Sequence, residues 1–202
     1  MAEQDQKREV ILEAALKRFS RYGLAKTTMG EIAGDLDMSK GSLYYYFPDK
    51  DRIYVAVIER IVSRCFADVS SFLEGPVTVQ LVMDRYLTLK EKILQEYHFL
   101  FGVHEWVREK PGNLQRQVGE LVQQAESRFL AAWIRKGIAD GEISPQHDPE
   151  KTAEMLVHVL FGLWVIWCKW QAQGFELHHT ENIKEFMHRE KMVLTIFFNG
   201  LR

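Results

Sequence analysis

Cysteine and proline are scarce, with 2 Cys and 5 Pro in 202 residues. Cys65 and Cys168 lie inside apolar helical patterns with neither metal-ligand nor redox-pair spacing, so both are expected to be buried reduced thiols. Excess charge is also lacking: Lys and Arg total 26 against 28 Asp and Glu, a net −2 that excludes a nonspecific polycation. The polar opening MAEQDQKREV contains no signal peptide. The longest apolar run, Leu156 to Cys168, contains His158 and is too short to span a bilayer, so no membrane partner is expected and the location should be cytoplasmic. No strand alternation, internal repeat or low-complexity linker is present. There is no nucleophile elbow, phosphate loop, zinc spacing or carboxylate pair placed for catalysis, so neither an enzyme nor a metal or cofactor is expected.

What the chain has is helical periodicity from end to end. The spacing predicts an all-α protein of about nine helices, and a chain of this length holds one or two compact domains. The first helix covers about Lys7 to Tyr22, burying Ile11, Ala15 and Phe19, and stops at Gly23. A long helix from Asp49 to about Glu74 ends at Gly75-Pro76. Others are expected over 77–97, 98–109, 113–140, 149–174 and 180–199. Asp148-Pro149-Glu150 supplies a cap, a first-turn proline and a first-turn carboxylate. The division falls into a small head, residues 1–50, and a larger helical body, residues 51–202.

Residues 28–50, TMGEIAGDLDMSKGSLYYYFPDK, carry the densest local information. Thr28 followed by Glu31 is a capping box, which opens a helix whose apolar stripe is Ile32, Ala33 and Leu36. Asp37 can take the left-handed backbone of a sharp turn, and Ser39 caps a second helix from Lys40 to Tyr46, closed by Pro48-Asp49. Two short helices joined by a tight turn form a helix-turn-helix, which reads DNA. The first turn of its second helix lies nearest the base edges, which makes Lys40, Gly41 and Ser42 the candidates for base readout. Tyr44, Tyr45, Tyr46 and Thr28 offer hydroxyls suited to phosphate oxygens. Consecutive tyrosines point in different directions, so one should pack inward with Leu43 and Phe47; Tyr44 is expected to be partly structural. Net charge gives no support, since the head has 8 Lys or Arg and 8 Asp or Glu. Lys7, Arg8, Lys17, Arg18, Arg21 and Lys26 could line an approach to the duplex or be merely solvated.

From Thr27 to Lys50 the chain resembles the TetR-type bacterial transcriptional regulators, whose motif runs Thr-Thr/Ser-x-x-x-Ile-Ala, a turn, then Ser-Lys-Gly-x-Leu-Tyr-x-Tyr/His-Phe-x-x-Lys. It departs in the turn, where Leu36-Asp37-Met38 replaces the usual Ala-Gly-Val. The resemblance implies a three-helix DNA-binding domain, a phosphate-contacting role for Lys50, and a helical regulatory and dimerisation domain behind it. It also implies a homodimeric repressor on a pseudo-palindromic double-stranded operator, released by a small effector. The alternative is an architectural or protein-recruiting DNA binder without an inducer.

In the body, the last two helices are apolar over much of their girth, as befits a core or a subunit interface. The family pairs these helices across a two-fold axis, which implies an interface of Leu156, Leu160, Leu163, Trp164, Trp167, Phe186, Val193 and Phe197. An effector site would be mostly apolar with a few polar groups. Its candidate lining is Phe66, Met83, Tyr86, Phe101, His104, Phe129, Trp133 and Trp164, with Lys90, His98 and Glu105 as nearby polar groups; any one of these aromatics could equally be plain packing. The expected effector is hydrophobic or aromatic. His178-His179 has no partner at metal spacing and reads as a surface turn.

Overall fold

The computed structural model describes residues 2–97, 100, 112–172 and 180–202, and among them there are eight helices and no strand. They are α1 (Ala2–Lys26), α2 (Met29–Gly34), α3 (Lys40–Tyr46), α4 (Lys50–Phe72), α5 (Val79–Tyr97), α6 (Asn113–Ala139), α7 (Pro149–Ala172) and α8 (Thr180–Gly200). The helix expected over 98–109, with Phe101 and His104, lies outside the described residues, as does the His178-His179 turn.

Local chemistry accounts for the element ends. Gly23 leaves the helical path at φ 75 and ψ 168, where a side chain would be strained, so the regular part of α1 ends at the predicted place and one further turn carries on to Lys26. Asp49 caps α4 by accepting from the Arg52 amide at 2.7 Å. Gly141, at φ 77, turns the chain after α6. That turn brings Glu142 back to accept from the Val79 amide at 3.0 Å, which satisfies a donor at the start of α5.

Two apolar clusters organise the molecule. The head cluster holds Ile11, Ala15, Phe19, Ile32, Leu43 and Phe47, and it continues along α4 through Ile53, Tyr54, Val57, Ile58, Ile61 and Val62. The body cluster holds Val69 of α4, Met83 and Tyr86 of α5, Phe129 and Trp133 of α6, Leu156 and Leu160 of α7, and Phe186 and Leu194 of α8. Helix α4 therefore belongs to both, and Phe66 packs against each. Ion pairs tie α4 and α2 to α1: Arg60 reaches Glu13 at 2.6 Å and Glu9 at 3.4 Å, while Arg18 pairs with Asp35 and with Glu31 at 3.4 Å.

The sequence reading understated the length of the apolar stretch in α7. By length and hydropathy alone Pro149–Lys169 is sufficient to cross a membrane, the one such helix among the described residues. In the fold its girth divides instead: Leu156, Leu160 and Trp167 are buried in the body, while Met155, Val159 and Ile166 emerge on the other side. Packing one side against the rest of the protein is what a core helix does with its apolar stripe.

Candidate DNA-reading head and effector cavity

The capping box at Thr28 forms as the spacing predicts. The Glu31 amide donates to the Thr28 hydroxyl at 3.3 Å, and the Thr28 amide donates to the Glu31 carboxylate at 2.8 Å. These bonds hold Glu31 below the usual carboxylate range, its hydrogen bonds from Thr28 being the largest cause. Asp37 takes φ 51, and the Met38 amide closes the turn onto the Ala33 carbonyl at 2.9 Å. The turn thus keeps its shape without glycine, because Asp tolerates the left-handed region better than most residues. Ser39 then caps α3 by accepting from the Ser42 amide at 3.0 Å.

On α3 the buried residue is Leu43; Lys40, Gly41, Ser42, Tyr44 and Tyr45 form the exposed face. Tyr45 is 73% exposed and Tyr44 50%. The inward tyrosine is Tyr46, which packs against the head cluster, whereas Tyr44 is half exposed and lies outside that cluster, so the expectation for Tyr44 is corrected. Lys40 lays its stem across Gly30, where a Cβ would come within 2.7 Å of the Lys40 Cε, so glycine lets the lysine lie flat on α2. Gly41 faces open space, with only Ser39 Oγ 3.8 Å from where its Cβ would stand.

Two of the basic residues that could have lined the duplex are used within the head. Arg18 is committed to Asp35, and Arg8 lies over the Phe47 ring at 4.4 Å while donating to the Tyr46 carbonyl at 3.1 Å. Lys50 has a structural role that the motif did not reveal. Its ammonium donates to the carbonyls of Leu24 at 2.7 Å and Thr27 at 2.9 Å, pinning the end of α1 to the start of α4 and leaving one N–H for another partner.

The expected interface residues separate into two sets. Leu156, Leu160, Trp167 and Phe186 are sealed in the chain's own body cluster and have almost no surface to give to a partner. That leaves them a small part in any interface; a helix apolar over much of its girth does not show by periodicity which side meets the core. Leu163, Trp164, Val193 and Phe197 are half-buried at its margin. Among the described residues, the exposed apolar side chains of α7 and α8 are Met155, Val159, Ile166, Met192 and Ile196, the last 71% exposed, and none of them is in the expected interface set.

An apolar cavity of about 120 Å³ opens between α4, α5, α6 and α7. Of the predicted lining, Phe66, Tyr86 and Trp164 are present; Met83, Phe129 and Trp133 are buried packing behind it, and Phe101 and His104 lie outside the described residues. Phe129 stacks on Tyr86 with centroids 5.6 Å apart, holding that ring in place. The cavity sits on the seam between the clusters. Ile61, Val62 and Val118 of its wall belong to the head cluster, and Tyr86, Leu94 and Leu160 to the body cluster. Cys65 also lines it; burial pushes this thiol and that of Cys168 up to about 12, so both are weakly nucleophilic.

A polar cluster at the cavity margin went largely unread. Lys90, which lines the cavity, donates to Tyr86 Oη at 3.0 Å, to Glu126 Oε1 at 3.0 Å and to Glu190 Oε1 at 2.5 Å. The Tyr86 hydroxyl donates to Glu126 Oε1 as well. Burial raises the Glu190 carboxyl, opposed in part by Lys90, and its Oε2 is buried without a hydrogen-bond partner. Burial works against the Lys90 charge too, but the two carboxylates outweigh it and leave the ammonium above the usual lysine value. Burial and the same carboxylates raise the Tyr86 phenol, which therefore remains a donor. A sequence signal for the acids did exist. Glu126 falls in register with Val122, Phe129 and Trp133, and Glu190 with Phe186 and Leu194, each a carboxylate on its helix's apolar stripe.

Residues 11–57 match the family described as bacterial regulatory proteins, tetR family. The HTH-type transcriptional regulator RutR of Escherichia coli strain K12 is 30% identical over 150 residues, which cover 70% of this chain and 68% of RutR. Among solved structures, a transcriptional regulator from Cytophaga hutchinsonii is 29% identical, with a TM-score of 0.79 over 96% of this chain and 98% of that one. FadR from Bacillus subtilis, solved in complex with stearoyl-CoA, shares the fold at 18% identity, with a TM-score of 0.64 over 96% of this chain and 99% of that one. An N-terminal helix-turn-helix with an exposed reading helix, a helical body behind it, and relatives of this kind make the protein a DNA-binding transcriptional regulator, and the chain belongs to the tetR family.

Proposed function

We propose that the protein is a homodimeric repressor that reads a pseudo-palindromic operator with α3 of each protomer and is released by a small apolar effector bound in the cavity. The observation that carries this reading is the position of the cavity on the seam between the two clusters, with its wall formed partly by the α4 helix that both clusters share. A ligand that fits better at one α4 position than another shifts the spacing of the two heads, whereas one indifferent to that position shifts nothing. Two heads must stand about one helical turn apart, roughly 34 Å, to reach successive major grooves.

Lys40, Gly41 and Ser42 are assigned to base edges, with Gly41 leaving room for close approach. Tyr44, Tyr45 and Thr28 are assigned to phosphates, together with the remaining N–H of Lys50. Tyr46 contributes through packing. The protomers meet through Met155, Val159, Ile166, Met192 and Ile196, an apolar face that a two-fold partner would cover. No catalytic role is assigned, and the working compartment is the cytoplasm. Stearoyl-CoA, the ligand solved with the Bacillus subtilis FadR, is far larger than a cavity of about 120 Å³, so a smaller effector is proposed here.

Fluorescence anisotropy with DNA flanking the protein's own gene tests the reading. Specific binding that weakens steeply with salt and is reversed by small hydrophobic compounds supports it. Binding that no member of a broad compound panel reverses would remove the sensor and leave an architectural DNA binder.

A further inference from the structure

We infer that the cavity is built for a small hydrophobic cation, a single ring or short apolar body carrying an ammonium group; this rests on the effector reading above and names the chemical class of the effector. A lysine ammonium has three N–H groups, and Lys90 directs them at Tyr86 Oη, Glu126 Oε1 and Glu190 Oε1. None remains for an incoming anion.

Acceptors, by contrast, are in surplus. Both hydrogen bonds of Glu126 fall on Oε1, and among the described residues its Oε2 has no partner. Glu126 lines the cavity while being only 6% exposed, and its carboxylate forms a polar corner there with Lys90 and Tyr86. Glu190, 1% exposed, also keeps one buried oxygen without a partner. Two carboxylates around one ammonium leave a deficit of positive charge in a largely buried cluster. An anionic headgroup would meet like charge there, and a neutral apolar ligand would leave the Glu126 oxygen unpaired. An ammonium supplies what both lack: a charge-assisted donor for Glu126.

The remaining wall suits the same ligand. Phe66, Tyr86 and Trp164 present aromatic surface, which attracts a cation through the negative face of the ring. The volume of about 120 Å³ is near that of cavities known to take a benzene-sized guest.

Titration calorimetry on the intact protein decides the matter with three probes of matched size: 2-phenylethylamine, 2-phenylethanol and 3-phenylpropionate at neutral pH. The amine is expected to bind at least roughly tenfold tighter than the alcohol, and the carboxylate weakest. In Glu126→Gln the preference for the amine over the alcohol should collapse to near parity. A carboxylate or alcohol that binds as tightly as the amine overturns the proposal, as does binding by none of the three or a preference that survives in Glu126→Gln. Should that variant fail to fold by circular dichroism, the ranking on the unaltered protein decides alone. Operator release is read separately. An amine that binds in the expected rank yet leaves DNA bound upholds the cation site and removes the release mechanism; a tighter-binding alcohol or carboxylate that frees DNA does the reverse.

Discussion

Arg60 of α4 holds Glu13 of α1 at 2.6 Å, so the long helix that enters the body is clamped to the first helix of the head. Only 13% of the arginine side chain is exposed, against 47% for the glutamate, so solvent screens the pair in part and its worth to stability is about 1 kcal/mol. Its greater consequence is mechanical, because movement of α4 must carry α1 with it. Arg60→Ala should lower the melting temperature slightly and raise the effector concentration needed for half-release from operator DNA. Anisotropy titrations that place the half-release point where it lies in the unaltered protein would show that the clamp transmits nothing.

Lys50 and Lys40 should separate cleanly. Lys50→Met deletes two hydrogen bonds at the end of α1 and should destabilise the free protein by about 1–3 kcal/mol, the range for bonds made by a charged group, besides weakening all operator sequences about equally. Lys40→Ala should leave the melt unchanged and relax sequence preference. A Lys50→Met melt that matches the unaltered protein would reduce Lys50 to a phosphate contact alone.

The apolar face of α7 and α8 distinguishes interface from core. Ile196→Glu places a charge on an exposed side chain of the single chain, so the monomer should keep its helicity while light scattering reports dissociation. Phe186→Glu places the same charge in the body cluster and should cost several kcal/mol and the fold itself. An Ile196→Glu protein that remains dimeric would place the interface elsewhere.

Glu190 gives a pH signature. Its carboxyl is raised by burial, so the folded state holds a proton that the unfolded chain gives up near 4.5. The stability this contributes is present below that value and is lost as pH rises through the raised one. Glu190→Gln has no such proton to lose. The melting temperature of the variant relative to the unaltered protein should therefore climb as pH rises from 4.5 towards neutrality, by roughly 2–4 °C per kcal/mol for a chain of this size. A constant difference across that range would contradict the shift.

The head was legible because its determinants are local. Thr28 and Glu31, Ser39 and Ser42, and Asp37 in the turn act over three or four residues, and each behaves as its neighbours in sequence imply. Tyr46 was misjudged for Tyr44 because choosing among adjacent tyrosines requires the packing angle of α3 on α1 and α4. The cavity was half legible. Apolar spacing found Phe66, Tyr86 and Trp164, and Lys90 was legible beside them, but its partners Glu126 and Glu190 come from two other helices, and Lys90 and Glu190 meet across 100 residues of chain. A charge on an apolar stripe announces a buried partner without naming it. On α7, apolar over much of its girth, periodicity alone does not tell Leu156 from Met155.

Because Ile53, Tyr54, Val57 and Ile58 complete the head cluster, the reading unit has no natural seam at the start of α4. A head cut at residue 50 would expose Phe19, Ile32 and Leu43 to water and lose the partner that fixes α1. Any exchange of reading heads between relatives must therefore carry α4 through Val62, and it imports with that segment Ile61 and Val62 of the cavity wall. On the proposed reading, operator choice and ligand choice are carried partly on the same stretch of chain, so a graft that changes one is expected to retune the other.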